Sequence, residues 1–278
     1  MTSKTTTTLP TRDLTEHIAT EVRADKEALL SGDYAGAIRE LLEQRGVLVF
    51  PQIGFTDAEQ IAFTETLGTL APERDGEAVY DVTLDTNVNK QADYLKGSFY
   101  WHLDGTMNEV PILASLLSSK VLPADGGGDT EFCNTYAAYD ALPEEDKQQL
   151  ASLRAMHSAW NSLLYYDPEP AAATLRQMMA IGQCEQPLVW THRSGSQSLM
   201  LGCTSSHIVG MEYSESTKTL VRLRDWATHP QFVYRHQWSV GDLVMWDNTG
   251  TLHRARPYDP ASGRMLHRTK LAGEEPFA

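Results

Sequence analysis

The stretch FVYRHQWSVGDLVMWDNTGTLHRARPYDPASGRMLHRTKLA, residues 232–272, decides the fold. It holds three short apolar runs, FVYRHQW (232–238), DLVMWD (242–247) and RMLHRTKLA (264–272), separated by Gly, Asn, Asp and Pro turns. Short runs punctuated in this way read as strands of a sandwich or jelly roll, because an amphipathic helix needs a longer stretch at a 3.6-residue period. Upstream, GVLVFPQ (46–52), VYDVTLDT (79–86), ILASLLSSKVL (112–122, stopped by Pro123), PLVWTH (187–192) and SLMLG (198–202) extend the same reading. Helical patterns gather at 13–31, 35–45 and 56–68, and again at 134–153 and 169–182. At Thr56 an N-cap residue is followed three positions on by Glu59, the signature of a capping box. The expected architecture is mainly β with flanking helices packed outside a sandwich core. It forms one domain over 13–278, with a helical insertion around 134–185 and a disordered tail at 1–12.

Composition narrows the functions open to such a domain. The chain has 278 residues, 41% hydrophobic and 22% charged, ordinary values for one large globular unit. Its formal charge is −14, which argues against a nucleic-acid footprint or binding to an anionic membrane. An anionic ligand would have to be drawn in by a few local arginines against the global field. Cys133, Cys184 and Cys203 form no CxxC pair and are odd in number, so reduced thiols are expected rather than a disulfide framework. The Thr-rich first ten residues lack the apolar region of a secretory signal, and no run reaches 18 apolar residues. A cytoplasmic protein is expected, with self-association into a homo-oligomer left open.

The chemistry-bearing motif is FYWHLDGTMNEVP, 99–111. Nine His and eighteen Asp predict about half of one HxD by chance, so the motif needs its surroundings. On a strand, residues two apart face one side, so His102 and Asp104 could bind one ion together. His253, 149 residues after Asp104, is the candidate third ligand. Two imidazoles and a carboxylate on one face of an octahedron suit Fe(II) and leave positions open for a co-substrate and O2. Arg264, eleven residues after His253, offers a guanidinium fork for a carboxylate, and Arg268 lies four further on, on the same face of a strand. Thr130, after the turn Asp125-Gly126-Gly127-Gly128-Asp129, could add a hydroxyl to the same anion. A tight turn accounts for those glycines equally well. The polar loop 87–98 is a candidate lid, with Tyr94, Lys96, Phe99 and Tyr100 as candidate substrate contacts.

WHLDG, GGGDT, GDLVMWDN, LHRA and GRMLHR, in this order, resemble the TauD/TfdA family of Fe(II)- and 2-oxoglutarate-dependent dioxygenases over residues 40–273. The resemblance implies a double-stranded β-helix, a cupin-like jelly roll. It implies His102, Asp104 and His253 as iron ligands, Thr130 and Arg264 on 2-oxoglutarate, and Arg268 on an anionic group of the main substrate. Taurine-type members carry a sulfonate-contacting His before the HxD motif, whereas no His lies between Leu70 and Ser98 here. LMLGCTSSHIVGMEYSES and RDWATHPQFVYRHQWSVGDLVMWDN look closer to the aryloxyalkanoate branch. Ala159 and Thr204 fall where taurine-type members carry phenylalanines, which would enlarge the pocket. The implied reaction is hydroxylation of a small anionic substrate, a carboxylate with an apolar body, with cleavage where the hydroxylated carbon bears oxygen or nitrogen. The alternatives with the same cofactors are oxidative decarboxylation or desaturation of an amino-acid-like substrate, and oxidation of sulfonates or sulfate esters. A zinc hydrolase and a non-catalytic jelly-roll binding module are the alternatives of another class.

Overall fold

The computed structural model describes residues 8–73 and 76–277. Four of the runs read as strands lie side by side at its centre. Val47–Phe50, Leu243–Asp247, Ala114–Val121 and Met265–Leu271 form antiparallel neighbours within an eight-stranded sheet. A smaller sheet is built from Val233–His236, Thr130–Asn134 and Thr251–Ala255, all antiparallel.

Period-two alternation explains how the large sheet buries both faces. Leu48, Phe50, Leu116, Leu243, Met245 and Leu271 point to one side, against Ile38 and Leu42 of helix Ala35–Arg45 and Phe63 and Leu67 of helix Asp57–Leu67. Val47, Val49, Leu117, Val244, Trp246 and Leu266 point to the other side and meet Phe132 of the smaller sheet. The Phe132 and Trp246 rings lie 5.5 Å apart. Each fully buried leucine or phenylalanine here contributes roughly 1.5–3 kcal/mol, which fixes register, since a one-residue slip would turn every one of them outward. The helix Asp57–Leu67 carries the expected capping box: Thr56 accepts from the Glu59 amide and Glu59 from the Thr56 amide.

Several local expectations are corrected. Residues 13–31 are not one helix: Thr11–Asp13 pairs with Thr20–Val22, which runs parallel to Val47–Phe50, and only Lys26–Leu30 is helical. Pairing with a sheet edge outweighs helix propensity there. The tail expected at 1–12 therefore ends in a strand, and residues 1–7 lie outside the described residues. The 134–153 run splits into Thr135–Asp140 and Glu144–Leu150, because Pro143 has no N–H to continue the ladder. The 134–185 insertion is mixed rather than helical. Arg154–Ser158 pairs with Gln183–Pro187 and with Ser205–Ile208, between which lie helices Ala159–Tyr166 and Ala172–Ile181. The sequence reading also missed Tyr213–Ala227, a helix largely charged on its outside that buries Ser216, Leu223 and Ala227. Among the described residues no helix is long and apolar enough to cross a membrane. All three cysteines are free, with Cys133 and Cys203 buried.

Candidate metal centre

His102 and Asp104 do not share a strand. His102 makes an isolated bridge to His253: its amide donates to the His253 carbonyl at 3.1 Å and the His253 amide returns a bond at 2.9 Å. Asp104 follows in the turn 104–107. The bridge, not strand alternation, brings the distant His253 beside the motif, and the turn swings the carboxylate back under both imidazoles. Gly202 makes this close approach possible: at φ +125° it lies where a Cβ would meet the His102 Cα and the Trp101 carbonyl at 3.0 Å.

The outcome is one compact donor set. Ligand atoms of His102, Asp104 and His253 lie within 4.8 Å of one another. His102 Nε2 is 3.8 Å from Asp104 Oδ1, and His253 Nε2 is 3.8 Å from Asp104 Oδ2. His102 Nδ1 lies 2.8 Å from the Tyr100 carbonyl. Nδ1 must then carry the proton and donate, which leaves the Nε2 lone pair for a metal. Trp246 packs against His253 at a ring separation of 4.8 Å. Ser115 donates to Asp104 Oδ2 at 3.4 Å and itself accepts from Asn248.

Electrostatics suit a cation. Burial alone would raise the Asp104 carboxyl, but His253, Arg268, His102 and Lys270 outweigh it and hold it at about 2. Burial, with His102 adding to it, depresses His253 to about 3. At neutral pH the site therefore presents a carboxylate and a neutral imidazole, the forms that bind metal.

The same cavity is lined by Thr130, Arg264 and Arg268. Arg264 is 2% exposed, bonds the Gly128 carbonyl through Nη2 at 2.7 Å and lies over the Tyr258 ring at 4.6 Å. Its buried Nε has no hydrogen-bond partner, and an unpaired buried donor of this kind fits an anion supplied by a ligand. Thr130 Oγ1 accepts from Trp238 Nε1 at 3.0 Å, so its own proton is available to donate. Gly128 has a role beyond the turn: at φ +69° a Cβ there would come within 2.4 Å of Arg264 Nε. Val82, Leu84, Leu95, Met107, Leu117 and Leu266 supply an apolar part of the same lining.

Of the lid residues, Tyr94 and Phe99 line this cavity from the 3₁₀ turn Tyr94–Phe99. Lys96 is turned away and pairs with Asp93 at 2.7 Å. Tyr100 packs on Tyr165 and serves the site through its carbonyl. Arg268 is not free either: Nε and Nη2 are taken by Glu73 at 3.1 and 3.0 Å, while Nη1 lies 3.8 Å from Asp104 Oδ2. Glu73, Lys270, Ser115, Asn248 and Tyr258 escaped the sequence reading. Only Lys270 carried a signal, since it stands two residues from Arg268 on a strand and so shares its face.

Two imidazoles and a carboxylate that could hold one ion, next to a buried guanidinium, fit the donor set of a non-haem iron dioxygenase that uses 2-oxoglutarate. Residues 10–270 match the Taurine catabolism dioxygenase TauD, TfdA family, and the chain belongs to that family. It is 39% identical over 250 residues to the alpha-ketoglutarate-dependent 2,4-dichlorophenoxyacetate dioxygenase of Cupriavidus pinatubonensis, covering 83% of this chain and 86% of that protein. It is 34% identical over 240 residues to the (S)-phenoxypropionate/alpha-ketoglutarate-dioxygenase of Sphingobium herbicidovorans, covering 82% of each. Among solved structures, AAD-2 in complex with Mn(II) and N-oxalylglycine superposes with a TM-score of 0.84 at 33% identity, over 98% of this chain and 100% of that one.

Proposed function

We propose that this dioxygenase hydroxylates a small carboxylate with an apolar body, cleaving it where the hydroxylated carbon bears oxygen or nitrogen. The observation that carries the reading is one cavity that holds the triad, the unpaired Arg264 Nε and Arg268 together with a largely apolar lining. We read the two facing sheets as the double-stranded β-helix of the family. A setting in the cytoplasm fits the three free thiols.

In this reading His102, Asp104 and His253 hold the iron, and Arg264 with Thr130 takes the far carboxylate of 2-oxoglutarate. When bound, Fe(II), 2-oxoglutarate and O2 supply the oxidising chemistry, with succinate and CO2 released. The chain's own contribution is positional. The Tyr100 carbonyl fixes the His102 tautomer, and Ser115 steadies Asp104. Arg264 would position the co-substrate and Arg268 the anionic end of the substrate, leaving the apolar body to the rest of the cavity. Val82, Leu84, Leu117 and Leu266 keep that space dry.

The test is succinate release with Fe(II) and 2-oxoglutarate against aryloxy acids, other hydrophobic carboxylates, alkyl sulfonates and sulfate esters. Turnover confined to carboxylates is expected. Preference for sulfonates or sulfate esters would replace the substrate class, and succinate release with no member of any class would refute the assignment.

A further inference from the structure

Arg268 is bound from behind before any substrate arrives. Glu73 Oε1 accepts from Arg268 Nε at 3.1 Å and Oε2 from Nη2 at 3.0 Å, a two-pronged contact. The same Oε2 lies 2.9 Å from Lys270 Nζ. Glu73 is 7% exposed, yet it does not belong to the cavity lining, whereas Arg268 and Asp104 do. It reaches this place from the chain just after Leu70–Ala71, which pairs with Lys270 and Leu271 on the far edge of the strand. The Tyr80 ring, in register with Arg268, lies 5.1 Å from its Cζ. Nη1 has no bond to Glu73 and lies 3.8 Å from Asp104 Oδ2, the oxygen that is also 3.8 Å from His253 Nε2.

We propose that Glu73 is a positioning residue that tethers Arg268, holding its Nη1 end toward the substrate and keeping the guanidinium off the metal-binding carboxylate. The proposal rests on the reading of Asp104 as a metal ligand and of Arg268 as the substrate's anion contact. Its physical basis is charge and reach. Arg268 and Lys270 balance Glu73 and Asp104 in one buried cluster. Without Glu73, a desolvated guanidinium with no other carboxylate among the described residues held against it in this cluster closes on Asp104, because an ion pair at hydrogen-bond distance is far stronger than one at 3.8 Å in a low-dielectric site. Asp104 then serves Arg268 instead of the metal.

The experiment is calorimetric titration of the full chain with Mn(II), which needs neither turnover nor a known substrate. Glu73→Gln is expected to weaken Mn(II) binding about ten- to a hundredfold, the scale of changes just outside a metal site, here exerted through Arg268 on Asp104. Adding Arg268→Met to Glu73→Gln is expected to bring affinity back to within about threefold of the wild type, because the competitor for Asp104 is gone. Glu73→Gln/Lys270→Met keeps the cluster's charge balance and serves where the single variant fails to fold. It is expected to show the same loss. Wild-type Mn(II) affinity in the foldable Glu73 variant, or a loss that Arg268→Met does not reverse, overturns the proposal. With a substrate from the panel, Glu73→Gln should raise its KM while the KM for 2-oxoglutarate stays unchanged. Failure of every panel substrate would count against the substrate reading and leave the metal titration to decide Glu73.

Discussion

Arg264→Ala is the perturbation whose consequence is most directly worked from the structure. The guanidinium is 2% exposed, spends Nη2 on the Gly128 carbonyl at 2.7 Å and leaves a buried Nε with no partner. A carboxylate of 2-oxoglutarate meeting this group forms charge-assisted bonds in a water-poor setting, worth about 2–3 kcal/mol. At 1.4 kcal/mol per decade that is about a 30- to 150-fold rise in the KM for 2-oxoglutarate. The same removal frees the Gly128 carbonyl and the Tyr258 ring, so some loss of stability accompanies it. Arg264→Lys separates the two effects: a lysine can still bond the carbonyl but cannot fork, so it should recover stability better than affinity. The assay is succinate formation against 2-oxoglutarate concentration at saturating substrate, with urea unfolding alongside. A KM within threefold of the wild type in a folded Arg264→Ala chain would refute the role given to this residue.

Three further outcomes are expected. Gly128→Ala places a Cβ within 2.4 Å of Arg264 Nε at a φ of +69°. It should raise the KM for 2-oxoglutarate about tenfold or more through displacement of the guanidinium, and steady-state kinetics would reveal it. His157 is fully buried, and burial pushes its imidazole from 6.5 to about 4. The unfolded chain takes up the proton below about 6.5 and the folded chain only near 4, so stability is lost as pH falls through that window. His157→Gln should therefore lose about 2 kcal/mol less than the wild type between about pH 7.5 and pH 5, measured as the change in urea unfolding free energy, and equal losses would contradict it. Thr56→Ala breaks the capping box at the start of Asp57–Leu67 and should cost about 1 kcal/mol, read from the shift of the unfolding midpoint.

The strands at 46–52, 112–122, 242–247 and 264–272 were legible because both faces of the large sheet are buried and the runs are short and bounded by turn residues. The helix at 57–67 was legible because its cap is written in four consecutive residues. The 13–31 stretch was misread because its helical pattern loses to pairing with Thr11–Asp13 and with the edge of Val47–Phe50, partners that lie outside the stretch or across a turn. Tyr213–Ala227 was missed because it is polar overall and its buried positions, Ser216, Leu223 and Ala227, include a single large apolar side chain.

Sequence by itself determined the family to which the chain belongs and named the candidate donors in order, since a His-x-Asp, a distant His and a following Arg are chemical identities that survive in one dimension. Tertiary structure alone decided how they meet. The His102–His253 bridge, the turn carrying Asp104 and the Glu73 tether on Arg268 join residues separated by up to 195 positions. Contacts at that separation are set by register and burial across the whole sheet, and no local pattern encodes them.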